Sequence, residues 1–268
     1  NFKSWGSEKV ARSIEESILA HSDFKLAVES GLEYIQWSGK TIPRLARSEE
    51  FSTKLASYIP GVRNSERAFS TASNKLRFDV FYDEVGKWKS KGYQYNAKDL
   101  KELSYFLNAA GGRGDITALP EALQTLMNIA FWSPRLQASR VQAPLAIFTA
   151  TPAVRKIIAK DLAAFAGTAM TYMGLTKMIE SVKDDISIEL EPNSPDFGKA
   201  KLGKMRLDML GGYQQYIRLL AELGTGESKI IGTDRKRNVD RVETLLRFAE
   251  SKINPVISTG KMLKTGET

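Results

Sequence analysis

The sequence predicts a mainly α-helical protein, with a multi-helix, bundle-like body and one small β-hairpin, or three short strands, near residues 186–210. Apolar residues recur every three or four positions through most of the chain, which is typical of helices with one buried face. Between Lys199 and Asp208, apolar and charged residues instead alternate on either side of Gly203. That period of two, interrupted by glycine, is typical of two strands joined by a tight turn.

The composition argues against several classes of protein. The 268 residues include 39 Lys and Arg, 31 Asp and Glu, one His and no Cys, which gives a formal net charge of +8. Without cysteine the sequence offers no disulfide, thiolate metal site or cysteine nucleophile, and a single histidine argues against a histidine-based triad. We therefore expect no enzyme activity and no cofactor. The positive charge favours a polyanionic partner, although an excess of solvated lysine explains it equally well.

Three helices are predicted in the first sixty residues. Ser7 can cap the first, and apolar residues between Phe24 and Ile35 form one side of the second. The third begins at Ser48, with two glutamates in its first turn, and ends before Pro60. His21 lies at the junction of the first two helices, where a surface or junction histidine is the ordinary interpretation, so we assign it no catalytic role.

These helices predict an N-terminal helical arm, residues 1–60, followed by a helical body, residues 61–268, that contains the hairpin. The chain begins at Asn1 without methionine, and the residues after Pro255 carry little apolar content. We therefore expect a processed product or a part of a longer polypeptide.

A long helix is predicted from Ser65 to Trp88. Its apolar residues fall on two faces, which is typical of a central helix with neighbours on both sides. Its basic residues could contact phosphates, but we interpret them as a solvated polar face; they are Arg67, Lys75 and Arg77. The next helix is predicted to begin at Asn96, with Asp99 completing a capping box.

The glycine-rich segment from Gly111 to Asp115 resembles two functional motifs superficially. A phosphate-binding loop would require a preceding strand and a following Gly-Lys-Ser/Thr, and neither is present in the sequence. The Arg-Gly-Asp tripeptide is too short to indicate adhesion. We interpret the segment as a turn between helices in which glycines supply positive φ.

Two helix starts are marked by a hydroxyl residue before proline, at Ser133-Pro134 and Thr151-Pro152. The second opens the longest apolar tract, in which residues 162–176 carry no charge. This tract is shorter than the roughly 20 residues that span a bilayer. We expect a buried central helix rather than a membrane-seeking one, with another helix packed against its small residues; these are Ala163, Gly167, Thr171 and Gly174.

The remaining elements follow the hairpin. Alternation from Ile186 to Leu190 predicts a short strand that could join the hairpin, and β-structure is expected nowhere else. A helix is predicted from Tyr213 until Gly224, and residues 224–232 are expected to form a loop. A final helix follows Asp234, with Val239, Val242 and Leu246 directed inward.

The densest basic cluster lies at the start of that final helix and is the candidate nucleic-acid site. It consists of Arg235, Lys236, Arg237 and Arg241. Aromatic residues are not interleaved with these cations, so the cluster predicts contacts with the phosphate backbone rather than stacking on bases.

Five segments in order resemble a module of the large polyvalent proteins, which are very long multidomain polypeptides of phages. The resemblance covers residues from about Pro60 to Thr268. The segments are IPGVRNSERAF (59–69), NAAGGRGDI (108–116), FWSPRLQASR (131–140), SPDFGKAKLGKMRLD (194–208) and GGYQQYIRL (211–219). The resemblance implies a phage origin and a structural or ejected role, and it supplies no catalytic residues.

Three function classes follow. The leading hypothesis is a non-enzymatic virion-internal or DNA-ejection protein that assembles as a homo-oligomer or with other virion proteins. It would reside in the virion, and after ejection in the host cell envelope, with membrane contact, or in the cytoplasm. The alternative is a sequence-independent nucleic-acid-binding module that contacts the DNA backbone. An enzyme would have to rely on carboxylates or lysines, and the paired acids Asp83-Glu84 and Asp184-Asp185 are adjacent and point in different directions on a helix.

Overall fold

The structure of the protein is a computed structural model that describes residues 6–35, 61–131, 133–183 and 185–253. The chain divides into two compact units, Asn1–Ala159 and Lys160–Thr268. The predicted fold class is confirmed, because the chain is mainly helical and carries a small antiparallel sheet of three strands. The boundary predicted at residue 60 and the helix predicted from Ser48 lie outside the described residues.

We number the described elements in chain order. The helices are α1 (Glu8–Leu19), α2 (Phe24–Glu29), α3 (Val62–Ser90), α4 (Ala97–Ala110), α5 (Glu121–Ala130), α6 (Pro134–Thr149), α7 (Pro152–Glu180), α8 (Gln214–Thr225) and α9 (Arg241–Glu250). The strands are β1 (Ile186–Ile188), β2 (Lys199–Leu202), β3 (Met205–Asp208), β4 (Glu227–Lys229) and β5 (Lys236–Asn238).

The core of the first unit forms where α1 and α2 pack on α3 and where α3 packs on α4. Phe78, Phe81 and Val85 of α3 are fully buried there. The second predicted face of α3 is not buried, since Phe69 and Leu76 are each 68% exposed. The prediction of a helix with neighbours on both sides is therefore wrong for the described residues, because apolar content does not show which side has a partner.

The N-terminal helices are capped differently. Ser7 caps α1 as predicted, its hydroxyl accepting a hydrogen bond from the N–H of Val10 at 3.4 Å. The second helix is shorter than predicted, because α2 ends at Glu29 and the backbone turns at Gly31 with φ of 93°. The ring of His21 stacks on that of Tyr82, with centroids 3.6 Å apart, which gives His21 a packing role.

Buried arginines replace the solvated basic face predicted for α3. Arg77 is only 3% exposed and donates hydrogen bonds to Asn74 Oδ1 at 2.8 Å and Asn108 Oδ1 at 3.2 Å. Burial lowers the pKa of Arg77 to about 9, and the charges of Arg113 and Arg135 act in the same direction. Arg67 is buried as well. The prediction that Arg67 and Arg77 are solvated is therefore wrong. The side-chain oxygens of Asn74 and Asn108 accept hydrogen bonds from Arg77 in the core, and the sequence pattern did not indicate these partners.

The glycine-rich segment joins α4 to later elements as a turn, as predicted. Gly112 adopts the expected positive φ, 84°. Gly114 serves a different purpose, because a Cβ at that position would lie 2.5 Å from the carbonyl oxygen of Arg135 and 2.5 Å from the amide nitrogen of Ser139. The backbone of the turn therefore approaches the first turns of α6 so closely that only glycine fits.

Three predicted helix starts are observed, with different caps. Asn96 and Asp99 form the predicted capping box at the start of α4. Pro134 and Pro152 are the first residues of α6 and α7, as expected. The preceding hydroxyls do not cap: Ser133 makes no capping hydrogen bond, and the buried Thr151 hydroxyl has no hydrogen-bond partner among the described residues.

The predicted hairpin is present in the second unit. Strands β2 and β3 pair antiparallel across Gly203, whose φ is 58°, and β1 joins β2 as the predicted third strand. Its apolar side is buried only in part, since Ala200 is 5% exposed whereas Met205 is 65% exposed. The apolar side of the hairpin is therefore buried in β2 and exposed in β3.

A second sheet replaces the loop predicted for residues 224–232. β4 and β5 pair antiparallel, with Ser228 opposite Arg237, so β-structure is not confined to residues 186–210. Each strand has only three residues and no apolar alternation, so the sequence carries no strand signal there. Helix α9 begins at Arg241, after Asp240 as its cap, and Val242 and Leu246 are exposed rather than inward as predicted.

Candidate functional site: an exposed apolar helix and a basic cavity

The uncharged tract of α7, residues 162–176, is exposed to solvent. Phe165 is 42% exposed, Leu175 56% and Met170 68%, and Met178 just beyond the tract is also 68% exposed. The prediction of a buried central helix is therefore wrong for the described chain. The residues of the tract lie all round the helix axis, and only one side of α7 contacts other elements of the second unit.

The attached side of α7 is fixed to the hairpin by Tyr172. Its hydroxyl accepts a hydrogen bond from the N–H of Ala200 at 3.1 Å. Further along the helix, Thr176 is 8% exposed and Glu180 accepts a hydrogen bond from the N–H of Ile188 at 3.2 Å. Phe165 contacts Tyr213 near the start of α8, with ring centroids 5.3 Å apart. These contacts determine which side of α7 remains free.

The opposite side of α7 carries small residues. We call this surface the α7 stripe and define it as Ala163, Gly167, Thr171 and Gly174, all exposed. A Cβ at Gly167 or Gly174 would meet no atom within 4 Å, so none of the described helices packs here as the expected second helix. The hydroxyl of Thr171 donates to the carbonyl of Gly167 at 2.8 Å, which satisfies the polar group within the helix.

The described helices contain no segment long and apolar enough to cross a membrane.

The four residues of the predicted nucleic-acid site lie in different surroundings. Lys236 pairs with Glu191 at 2.7 Å, and that hydrogen bond raises the pKa of Lys236. Arg241 donates from Nε to the carbonyl of Leu223 at 2.8 Å, near the C-terminal end of α8, where a cation is favourable. Arg235 precedes β5 and is exposed. Lys236 and Arg237 are adjacent on β5, so their side chains point to opposite faces.

Arg237 instead lines a cavity of about 370 Å³ enclosed by α8, α9, the β4–β5 sheet and the segment before β2. Three other cations from separate elements line the same cavity: Lys199, Arg218 and Arg247. The sequence prediction missed Lys199 and Arg218, because each is a basic residue in an element otherwise interpreted by its apolar pattern. Only their convergence in the fold identifies them as a group.

The cations of the cavity differ in their partners. Arg218 pairs with the buried Glu222 at 2.9 Å, Arg247 with Glu243 at 3.5 Å, and Lys199 with Asp196 at 3.6 Å. The side chain of Arg237 makes no ion pair or hydrogen bond with any residue that the structure describes. Within the cavity itself, Glu222 is the one carboxylate facing four cations among the described lining residues.

The rest of the lining is partly apolar and partly polar. Leu219, Val239 and Phe248 provide apolar surface. The side-chain oxygen Oε1 of Gln214 is buried and accepts no hydrogen bond from the described part of the chain.

Asp196 stabilises the segment that borders the cavity. It is 6% exposed and lies 3.1 Å from Arg206, 3.4 Å from Lys201 and 3.6 Å from Lys199. Burial alone would raise the pKa of Asp196, but the Arg206 hydrogen bond and the three positive charges outweigh it, so the pKa lies below its ordinary value. This charge cluster holds the turn before β2 against the hairpin.

Among the described residues, no group of three or more His, Cys, Asp or Glu side chains is arranged to hold a metal ion. No family model, curated protein or solved structure matches this chain.

Proposed function

We propose that this chain is a non-enzymatic structural module of a phage particle, an internal or DNA-ejection protein that assembles with copies of itself or with other virion proteins. The phage assignment rests on the five sequence segments that resemble the large polyvalent proteins. The assembly role rests on one observation, the exposure of the uncharged α7 tract. Exposed apolar surface of this continuity is typical of protein interfaces.

The chemistry of the α7 stripe suits a second helix. Glycine, alanine and threonine at helical spacing let two backbones approach closely, and exposed Leu175 and Met178 beside them offer apolar contacts. Open space around Gly167 and Gly174 leaves room for that approach. The stripe thus has the shape and polarity of a helix-packing face, and no described helix of this chain occupies it.

The charge distribution restricts where two copies of the chain can meet. With a net charge of +8, two copies repel each other over most of their surfaces. Residues 162–176 carry no charge, so contact there brings no like charges together. We therefore propose a homo-oligomer joined through paired α7 stripes.

The proposed location is the virion, followed by the host cell envelope or cytoplasm after ejection. The uncharged tract has fifteen residues, fewer than the roughly 20 that span a bilayer. Membrane contact after ejection would therefore place α7 at the lipid surface, as for interfacial helices.

Sedimentation velocity over a range of protein concentrations tests the assembly role. Gly174→Lys places a charge on the stripe, and we expect it to convert the oligomer to monomer. Gly86→Lys is the matched control, because Gly86 is also exposed, lies in a helix of the same length, 29 residues, and has no atom within 4 Å of a Cβ. A native protein that stays monomeric at high concentration, or two variants that behave alike, would refute the self-assembly proposal.

A second candidate function is sequence-independent binding of nucleic acid through Arg235, Lys236, Arg237 and Arg241. The observation in its favour is the exposure of Arg235 and Arg237 beside the net positive charge of the chain. Such binding would use phosphate contacts and would weaken with salt.

A further inference from the structure

The basic cavity of the second unit has the features of a small-anion site. Lys199, Arg218, Arg237 and Arg247 converge on it from four different elements. Three of these cations already pair with carboxylates, because Lys199 lies beside Asp196, Arg218 beside Glu222 and Arg247 beside Glu243. Arg237 is the cation of the lining whose charge no carboxylate among the described residues offsets, so a bound anion would pair with it.

We infer that this cavity binds the phosphate of a nucleotide-sized phosphate ester. This inference concerns a different surface from the α7 stripe and does not depend on assembly. The ligand is defined by its chemistry, a phosphate on a ribose and a planar base. A free nucleotide and the phosphorylated 5′ end of a strand both present that chemistry.

Arg237 is the main phosphate contact. Its side chain makes no ion pair or hydrogen bond within the described residues, so its donors are available to a ligand. A guanidinium presents paired N–H groups that match two phosphate oxygens, and such charge-assisted hydrogen bonds are strong. Arg218 also lines the cavity, and its ion pair with Glu222 holds its guanidinium in place there.

The remainder of the cavity suits the rest of a nucleotide. Its volume of about 370 Å³ lies within the range of small-molecule sites. Leu219, Val239 and Phe248 provide apolar surface for a planar base.

Calorimetric titration at low salt tests the inference with AMP, adenosine and inorganic phosphate as probes. We expect AMP to bind and adenosine not to bind. Arg237→Gln should weaken AMP binding by about tenfold or more, the effect of losing a charged hydrogen-bonding pair. Arg235→Gln is the matched control, because it removes the same charge two residues away without altering the cavity lining, and we expect a change below about twofold.

Because Arg237 is exposed, its variant should keep the native thermal midpoint, which excludes misfolding as the cause of lost binding.

Short oligoadenylates with and without a 5′-phosphate distinguish the two sources. Tighter binding of the phosphorylated strand than of AMP, which has the same base and sugar, assigns the site to strand ends, and the reverse order assigns it to free nucleotide; both support the inference. Equal losses in Arg235→Gln and Arg237→Gln, equal binding of adenosine and AMP, or no binding of AMP to the native protein would overturn it.

Discussion

The hydroxyl of Tyr172 accepts a hydrogen bond from the backbone N–H of Ala200, and this contact joins α7 to β2, the central strand of the three-stranded sheet. It determines which side of α7 faces the sheet. The α7 stripe lies on the other side, so a single hydrogen bond helps to set the surface that we propose for assembly.

Tyr172→Phe should lower the free energy of unfolding of the native chain by about 1–2 kcal/mol, because the N–H of Ala200 loses its acceptor. Urea unfolding followed by circular dichroism measures this difference. Tyr105→Phe is the control, since Tyr105 is 37% exposed, and a change within about 0.5 kcal/mol is expected. Equal losses in both variants would show that the Tyr172 contact is not specific.

Gly114→Ala should destabilise the protein by about 1–3 kcal/mol or more, because its Cβ would collide with backbone atoms of α6 at 2.5 Å. The same substitution at Gly86, an exposed position in the C-terminal part of α3, should stabilise it by about 0.5–1 kcal/mol through higher helix propensity. Thermal unfolding of the two variants measures both changes, and we expect a lower midpoint for Gly114→Ala and a higher one for Gly86→Ala. Equal shifts in the two variants would contradict the close approach at Gly114.

The lowered pKa of Asp196 should make the free energy of unfolding depend on pH. Its pKa is lower in the fold than in the unfolded chain, so its contribution is fully present above the unfolded value of about 4 and is lost as the pH falls through the folded value. Asp196→Asn should cost on the order of 1–2 kcal/mol at neutral pH, since its cationic partners remain partly solvated.

The difference between native protein and Asp196→Asn should shrink as the pH is lowered below about 4. Asp234→Asn is the control, because its side chain is fully exposed, and it should change stability by less than about 0.5 kcal/mol. If the free energies of unfolding of the native protein and Asp196→Asn differ by the same amount at all pH values, the Asp196 charge does not stabilise the fold.

A separate prediction concerns nucleic-acid binding by the basic cluster at residues 235–241. Affinity should be independent of sequence and fall with salt, with a logarithmic slope of about −0.9 per phosphate contact on duplex DNA. Charge reversal of Arg235, Lys236, Arg237 and Arg241 together should abolish it in a fluorescence-anisotropy titration. Affinity retained in the quadruple variant, or in high salt, would exclude this cluster as the interface.

Local signals in the sequence predicted much of the fold. Ser7, Asn96 and Pro134 mark helix starts that the structure contains, because capping and proline geometry depend on neighbouring residues alone. Alternation around Gly203 likewise predicted the hairpin. The β4–β5 pair was missed because its two strands contain no apolar residue, so no alternation is visible there.

Burial and the cavity could not be predicted in the same way. The apolar residues of α7 were expected inside, but their composition does not tell whether a partner belongs to the same chain. Arg77 was expected in solvent, although Asn74 and Asn108 pair with it in the core. Arg218, Arg237 and Arg247 lie in three different elements, so only the tertiary fold brings them together.

The most direct test of the assembly proposal uses the absence of cysteine from the native sequence. Thr171→Cys introduces a single thiol in the α7 stripe, and Ser90→Cys introduces one at the exposed end of α3. A disulfide forms only when the two Cα atoms approach to about 7 Å or less. Mild oxidation at a fixed protein concentration, followed by non-reducing electrophoresis, compares the two variants. Paired stripes predict rapid, near-complete cross-linking of Thr171→Cys and little of Ser90→Cys, whereas equal and slow cross-linking of both would contradict assembly through α7.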